Sequence, residues 1–175
     1  MLNSLKKVCQ KLETAHIPYM ISGSLAVNAY TTPRMTRDID IIISLKEEDV
    51  IGFLKAFETG FYQNELEIKQ EVRRKGMFNL IDLESMTTID FILKKDSAYR
   101  NLEFERRQKT TIYGFEIWIV AVEDLILSKL DWIQVYQSDR QLLDITNLLE
   151  VPNLDKKYLQ HWIETLSLKT YDIII

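Results

Sequence analysis

Apolar and polar positions divide the chain into two parts with different periodicities. Up to about residue 120, segments with strand-like alternation are interspersed with segments of helical spacing. From Glu123 onward, the spacing of the apolar residues is helical throughout. We therefore predict an α+β protein, with a mixed β-sheet flanked by helices over residues 1–120 and a helical C-terminal region over residues 121–175 that packs on this core.

The same periodicities predict the individual elements. The predicted helices are residues 2–15, 25–30, 46–57, 123–136, 138–149 and 156–166, with residues 96–107 helical in part. The predicted strands are residues 19–21, 38–43, 66–70, 77–83, 87–93, 110–113 and 115–120. Residues 84–86 and Gly114 lie between pairs of these strands, and each predicts a hairpin turn.

One predicted strand carries acidic residues within an isoleucine run. Asp38 and Asp40 are two residues apart in the string Asp-Ile-Asp-Ile-Ile-Ile. Residues two apart on a strand point to the same face, about 7 Å apart along the strand. Ionised groups on such a strand are costly unless they are paired or bind a metal. A divalent cation, Mg²⁺ or Mn²⁺, is the partner that two neighbouring carboxylates favour.

A third acid extends this pattern. Asp90 lies in the middle of the predicted strand over residues 87–93. If this strand lies beside the strand of Asp38 and Asp40, three carboxylates converge, as in the metal sites of phosphoryl and nucleotidyl transfer. Asp90 is also a candidate to accept the proton of an acceptor hydroxyl. The alternative for a single acid at a strand end is a solvated turn residue.

A Gly-Ser turn precedes the predicted helix over residues 25–30. Gly23 allows the backbone to approach a ligand closely, and Ser24 adds a hydroxyl. The helix start offers free N–H groups and the positive end of the helix dipole, which suit a phosphate. Such a pair is usually an ordinary turn or helix cap, but its spacing to the Asp-x-Asp pair favours a phosphate-binding role.

Four basic and acidic residues complete the candidate site. Lys129 lies inside the apolar arc of its predicted helix, so it either extends to water or meets a phosphate or carboxylate. Arg34 and Arg37 precede the acidic pair and either steer phosphates or pair with the acids. Asp144 is four residues from Arg140, a spacing that also fits a surface ion pair of little energetic weight.

Composition narrows the class of protein. The chain has 175 residues, of which 46% are hydrophobic, so it can bury a core of its own. Its formal net charge of -4 weighs against extended binding to duplex nucleic acid. Cys9 is the only cysteine, which excludes an internal disulfide and favours a reducing compartment. No apolar run reaches the roughly 20 residues of a membrane span, and the N-terminal segment does not have the pattern of a signal peptide. We therefore expect a cytoplasmic protein without a membrane partner.

The motifs resemble a known superfamily. The order Gly-Ser, then Arg-x-x-Arg-Asp-Ile-Asp, then a later strand Asp resembles the nucleotidyltransferase superfamily with the DNA polymerase beta-like fold. The longer string SGSLAVNAY-x-x-PR-x-TRDID is similar to the AbiEii toxin-type nucleotidyltransferases, including the DUF6036-like group. The tail strings EDLILSKLDW and SDRQLLDITNLL resemble the helical C-terminal part of that group. The resemblance implies a nucleotidyltransferase-like sheet with a helical tail.

The resemblance also implies roles for individual residues. Gly23 and Ser24 match the phosphate-gripping turn of the superfamily, and Asp38, Asp40 and Asp90 match its metal-binding acids.

In the tail, Lys129 matches a lysine that contacts the nucleotide triphosphate, and Asp144 matches an acid of the tail motif. We also expect Arg37 to bind the nucleotide, and Arg34 is a possible further residue of the site. The chain departs from its relatives at Ser22, where many have glycine, and at Thr31-Thr32, where close relatives have Gly-Glu.

These observations predict a metal-dependent nucleotidyltransferase. It would move a nucleoside monophosphate from an NTP to an acceptor hydroxyl on a tRNA, a protein or a small molecule. A toxin role in a toxin–antitoxin pair, with an antitoxin as partner, follows from the closer resemblance. The alternative is a non-catalytic binding module of the same fold.

Overall fold

The computed structural model describes residues 1–112, 114–136, 138–171 and 173. The helices are α1 (Leu2–Thr14), α2 (Gly23–Tyr30), α3 (Val50–Ala56), α4 (Glu65–Arg74), α5 (Ala98–Glu105), α6 (Val122–Ile133), α7 (Asp139–Leu149) and α8 (Lys156–Thr165). The strands are β1 (Tyr19–Ile21), β2 (Ile39–Ile43), β3 (Phe61–Tyr62), β4 (Met77–Asp82), β5 (Thr88–Leu93), β6 (Gln108–Ile112) and β7 (Phe115–Ile119). A short 3-10 turn over Glu47–Asp49 precedes α3. The predicted α+β class is confirmed.

The strands form one mixed seven-stranded sheet in the order β3-β4-β5-β2-β1-β7-β6. Strand β2 runs parallel to β5 and antiparallel to β1, while β1 runs parallel to β7. The hairpins predicted at residues 84–86 and at Gly114 are present, because β4 pairs antiparallel with β5 and β6 with β7. Tyr113, which the sequence placed at the end of β6, lies outside the described residues.

The alternation of side chains separates the two faces of the central strands. In β2, Ile39, Ile41 and Ile43 are buried, whereas Asp40 is only half-buried. In β5, Phe91 is buried and its ring lies 5.4 Å from that of Phe53 in α3. Because neighbouring strand residues point to opposite faces, the acidic residues of β2 and β5 point away from α3. The central strands therefore present an apolar face to α3 and a polar face to the other side.

One predicted element was wrong. Residues 66–70 were expected to form a strand, but they lie within α4. The side chain of Asn64 caps this helix by accepting a hydrogen bond from the Glu67 backbone N–H. Ile68 and Val72, four residues apart, bury one helical stripe, while Leu66 is exposed. Leu66 and Ile68 are two residues apart, as in a strand, but the helical spacing becomes visible only when Val72 is included.

The C-terminal helices are tied to the sheet half of the chain. Helix α6 packs against α2, α7 and α8. The Tyr30 hydroxyl, at the end of α2, donates a 2.7 Å hydrogen bond to the Val120 carbonyl just before α6. No helix among the described residues is long and apolar enough to cross a bilayer. The predicted division near residue 120 into two regions stays a prediction.

Candidate functional site

The acidic residues of β2 and β5 lie side by side. Asp40 and Asp90 are register partners on these parallel strands, and they point to the same face of the sheet. Neighbouring strands are about 4.8 Å apart, so the two carboxyl groups are close. Asp38 lies two residues before Asp40, just outside β2, and is exposed. The lateral pairing of Asp40 with Asp90 is the arrangement on which the sequence prediction depended.

Burial and neighbouring acidic charges shift the ionisation of Asp40 and Asp90. Burial raises the pKa of Asp40, and the charge of Asp38 raises it further, while the Ser24 backbone N–H and Lys129 act in the opposite direction. Burial also raises the pKa of Asp90, with added contributions from Asp40 and Asp38. Among the described residues, none of the three forms an ion pair with a lysine or arginine. The site therefore holds negative charge that no neighbouring side chain neutralises directly.

This excess negative charge fits a divalent cation in its chemistry. Carboxylate oxygens are the ligands that Mg²⁺ and Mn²⁺ prefer, and a cation would relieve the repulsion between the acids. The side chains are not gathered into a ready ligand cage, however, because no group of three or more His, Cys, Asp or Glu within the described ranges is placed to hold a metal ion. The donor set thus suits a metal, while its geometry does not enclose one.

The Gly23 turn lies directly against Asp40. Gly23 has a φ of +57°, and a Cβ atom at this position would lie 1.9 Å from Oδ2 of Asp40. The neighbouring Ser22 N–H donates a 3.0 Å hydrogen bond to the Asp40 carbonyl. Only glycine satisfies both the left-handed backbone and this close approach. The start of α2 is therefore held beside the acidic residues.

Arg34 connects the α2 start to the C-terminal helices. Its Nε and Nη2 atoms donate to Oδ1 and Oδ2 of Asp144 at 2.9 and 2.7 Å, which makes a bidentate ion pair. Nη2 also donates to the Ser24 hydroxyl at 2.9 Å. The Asn28 side chain fixes the Arg34 backbone by accepting from its N–H at 2.9 Å and donating to its carbonyl at 2.8 Å. Arg34 therefore pairs with Asp144, and among the described residues it forms no ion pair with the strand acids.

Lys129 of α6 reaches the same carboxylate. Its Nζ donates to Oδ2 of Asp144 at 2.9 Å and to Oε1 of Gln141 at 2.8 Å, and its side chain is only 7% exposed. Burial lowers the pKa of Lys129, although Asp144 and Asp40 oppose this effect. Of the alternatives that the sequence left open, extension to water is excluded, because the ammonium group is buried on a carboxylate.

Asp144 is not half of a surface ion pair with Arg140. It is buried, with a side chain 2% exposed, whereas Arg140 is exposed. Burial raises the pKa of Asp144, but the hydrogen bonds from Arg34 and Lys129 outweigh this and lower it overall. Asp144 is therefore a fixed anion at the centre of the cluster.

The structure brings most of the sequence candidates together and adds two residues. Gly23, Ser24, Asp40 and Asp90 form one continuous region, and the residues that meet at Asp144 lie beside it. Arg37 is exposed in the segment before β2 and takes no part in the Asp144 cluster. Sequence reasoning missed two supporting residues, Asn28 and Gln141. Gln141 lies three residues before Asp144 on α7, so helical spacing was the available signal. No spacing or motif in the sequence indicates that Asn28 supports the site.

Acids on adjacent parallel strands of a mixed sheet lie next to a Gly-Ser turn that opens a helix, and together with a family match they identify the chain as a nucleotidyltransferase. The sequence model of the aminoglycoside-2''-adenylyltransferase family matches residues 4–124, and the chain belongs to this family. Comparison with curated protein sequences gave no significant match.

Solved structures share the fold at low sequence identity. The lincosamide antibiotic adenylyltransferase LnuA, bound to lincomycin, is 17% identical, with 86% of this chain and 97% of that chain covered and a TM-score of 0.57. ANT(2'')-Ia, in complex with adenylyl-2''-tobramycin, is 15% identical over 94% and 92% of the two chains, with a TM-score of 0.60. A putative nucleotidyltransferase from Thermotoga maritima is 12% identical over 94% and 92%, with a TM-score of 0.54. The similarity to AbiEii-type enzymes stays a prediction.

Proposed function

We propose that the protein transfers a nucleoside monophosphate from an NTP to a hydroxyl group of a small molecule. The pairing of Asp40 with Asp90 beside the Gly23 turn carries this proposal, and family membership supports it. The acceptor oxygen attacks the α-phosphorus, the bond from the α-phosphorus to the pyrophosphate oxygen breaks, and pyrophosphate leaves. The acceptor proton passes to a carboxylate of the site.

The strand acids would hold the metal and accept this proton. Asp38, Asp40 and Asp90 are the residues that would bind Mg²⁺ or Mn²⁺. When bound, the ion would neutralise charge on the phosphates of the NTP. Asp90 is the proposed proton acceptor, because its carboxylate lies beside Asp40 on the same face of the sheet, where it could accept the proton of the acceptor hydroxyl.

The residues around the start of α2 would bind the triphosphate. Gly23 opens α2, whose free N-terminal N–H groups suit phosphate oxygens, and Ser24 adds its hydroxyl, while the Ser24 N–H itself faces Asp40. Lys129 supplies a positive charge within range of Asp40. Arg37 is exposed beside the acids and would contact the outer phosphates.

Two related enzymes point to a small-molecule acceptor. LnuA was solved with the antibiotic lincomycin, and ANT(2'')-Ia with an adenylylated antibiotic. We therefore infer an acceptor of this size, and ATP as the first donor to test. The net charge of -4 also disfavours a polyanionic acceptor such as tRNA.

The AbiEii-like motif supports an alternative function, that of a toxin that modifies tRNA or protein and is neutralised by an antitoxin. The same transfer assay separates this alternative from the small-molecule proposal.

The test is nucleotidyl transfer from α-labelled NTPs to defined acceptors. Purified protein would be incubated with each labelled NTP and Mg²⁺, with aminoglycosides, lincosamides, total tRNA or a protein extract offered separately. We expect label on a small molecule, dependence on the metal, and a decrease of about a thousandfold in the Asp40→Asn variant, which corresponds to several kcal/mol of barrier. Asp139→Asn, which alters an exposed acid, is the matched control and should retain full activity.

Each other result has a defined meaning. Label on tRNA or protein would replace the small-molecule proposal with the toxin-like one. NTP binding by calorimetry without transfer to any of these acceptors would favour the non-catalytic module. Transfer unaffected by Asp40→Asn would contradict the proposed site.

A further inference from the structure

Three charged side chains from distant parts of the chain meet beside the proposed phosphate site. Arg34, Lys129 and Asp144 form a cluster, called here the charge cluster, with two positive charges and one negative charge. Asp144 accepts three hydrogen bonds of 2.7 to 2.9 Å from the two cations. The cluster therefore carries one surplus positive charge, next to the Ser24 hydroxyl that Arg34 contacts.

The geometry of Asp144 goes beyond what an ordinary ion pair requires. The carboxylate is almost fully buried and accepts two parallel bonds from one guanidinium, an arrangement that fixes the plane of Arg34. Its Oδ2 atom is shared between Arg34 and Lys129. One anion thus holds two cations that would otherwise repel each other in a buried region.

Both cations keep donors for a further anion. A lysine ammonium has three N–H donors, and Lys129 uses two of them, on Gln141 and Asp144. Of the five guanidinium donors of Arg34, three contact Asp144 and Ser24, while Nη1 makes only a long 3.4 Å contact with the Met35 carbonyl. Of these two cations, Arg34 already lies beside Ser24, and Lys129 interacts electrostatically with Asp40.

We propose that Asp144 is a positioning residue, which holds Arg34 and Lys129 in place so that their surplus charge binds the pyrophosphate portion of the NTP. This inference rests on the proposed function and assigns a task to α7, the helix that carries Asp144. Asp144 itself does not contact the nucleotide. Its removal would leave two unpaired cations that repel each other and lose their shared orientation.

The competing explanation is that Asp144 only attaches α7 to the segment before β2. A purely structural role predicts that a variant lowers thermal stability and the fraction of active protein. It also predicts that the folded molecules bind NTP as well as the wild type does. A positioning role predicts weaker nucleotide binding in molecules that are fully folded. The KM for the NTP, compared with the KM for the acceptor, separates these explanations.

The experiment compares Asp144→Asn with Asp139→Asn, the same substitution at an exposed site of the same helix. For Asp144→Asn we expect the KM for the NTP to rise 10- to 100-fold, with the acceptor KM within twofold of the wild-type value. Calorimetry with inorganic pyrophosphate and Mg²⁺, without any acceptor, should show a similar loss of affinity. Asp139→Asn should match the wild type in every measurement.

A second variant keeps the test valid if Asp144→Asn does not fold. Arg34→Lys retains the charge on a partly exposed side chain but loses the bidentate hydrogen bonding to Asp144. It should weaken pyrophosphate binding several-fold. Where both variants fold, the double variant should be little worse than Asp144→Asn alone.

The failures are distinguishable. If the wild type transfers no nucleotide, the proposed function fails, and pyrophosphate binding still reports on the charge cluster. If the wild type is active but folded Asp144→Asn and Arg34→Lys bind NTP and pyrophosphate within twofold of it, the positioning role is overturned.

Discussion

At the scale of single residues, the closest contact in the site is between a glycine and a carboxylate. Gly23 has a left-handed backbone, and Oδ2 of Asp40 occupies the space that a side chain at position 23 would need. Most glycines in turns satisfy only a conformational requirement. Gly23 also allows the start of α2 to contact an acidic residue of the site. A change at this position therefore affects stability and activity together.

We expect Gly23→Ala to lower the free energy of unfolding by about 1 to 3 kcal/mol, because an added Cβ forces a strained backbone and displaces Asp40. Nucleotidyl transfer should fall by at least about tenfold, since each 1.4 kcal/mol of barrier is tenfold in rate. Chemical denaturation and the transfer assay measure the two effects.

Gly52→Ala is the control. Gly52 lies inside α3, where an added Cβ would meet no atom within 4 Å. This substitution should leave activity unchanged and raise stability by roughly 0.5 to 1 kcal/mol, because alanine favours a helix. Equal losses in the two variants would contradict the role assigned to the contact between Gly23 and Asp40.

A second prediction at this scale concerns Cys9. This residue is 2% exposed, and burial raises the pKa of its thiol to about 12. Since the thiolate is the reactive form, the native protein at pH 8 should react with a thiol reagent at least about a hundredfold more slowly than the urea-unfolded protein does. Rapid native labelling would show that α1 opens readily, and Cys9→Ser should abolish labelling in both states.

At the scale of elements, a buried polar network joins the start of α6 to α8. Asp124 is fully buried and accepts a 2.8 Å hydrogen bond from Nε of Arg106 and a 2.6 Å bond from the Tyr158 hydroxyl. The Arg106 guanidinium also lies 4.0 Å from the centre of the Tyr158 ring. These contacts fix the helix that carries Lys129, so they influence the site indirectly.

Removal of one partner from this network should be costly. We expect Asp124→Ala to lower the free energy of unfolding by about 3 kcal/mol, because it removes the buried acceptor of the Tyr158 hydroxyl and one of the two carboxylates that pair with Arg106, the other being Glu123. Tyr158→Phe should cost about 1.5 to 3 kcal/mol, the contribution of one hydrogen bond to a charged group. Glu164→Gln, at an exposed position of α8, should change stability by less than about 0.5 kcal/mol. Urea denaturation of the three variants measures this order, and a Tyr158→Phe variant as stable as Glu164→Gln would contradict it.

Elements with a long, regular pattern could be predicted from the sequence, while α4 and the two-residue strand β3 could not. The isoleucine alternation of β2 extends over the whole strand, so its buried face was readable. In α4 the stripe of Ile68 and Val72 depends on spacing beyond the short window that resembled a strand. The local pattern did not identify this helix, although Asn64, which caps its N-terminus, is a residue type typical of a helix start.

The site was predictable where its residues are close in sequence. Asp38, Asp40, Gly23 and Ser24 lie within one short segment, and their spacing carries the information. The link from Arg34 to Asp144 spans 110 residues, and no periodicity connects the two. Arg140, four residues away on the same helix, was the nearer partner by spacing, but tertiary packing placed Asp144 inside and Arg140 outside.

At the scale of the whole molecule, the proposed nucleotide site includes residues from both parts of the chain, because the sheet half contributes the acids and α6 and α7 contribute Lys129 and Asp144. We expect a saturating NTP with Mg²⁺, at about 100 times its Kd, to stabilise the protein by about 2.7 kcal/mol. This corresponds to a rise in Tm of roughly 5 to 10 °C for a chain of this size.

Thermal denaturation measures this shift, with EDTA as the test of metal dependence. The chelator should remove most of the increase, and Asp90→Asn should weaken the response to Mg²⁺ with little effect on the ligand-free protein. A full increase in EDTA would show that the nucleotide binds without the metal.

Because Asp144 is bonded to both Arg34 and Lys129, binding of a nucleotide at the α2 turn should change the protection of the α7 backbone. A phosphate bound by Arg34 and Lys129 would hold both cations, and through them Asp144, in place, so we expect occupancy of the α2 turn to affect the backbone amides of α7. Hydrogen–deuterium exchange along that helix would then slow when the nucleotide is present, even though the helix is remote in sequence from the Gly-Ser turn. Mutations that loosen this helix would in turn weaken nucleotide capture, because linkage between two sites is reciprocal.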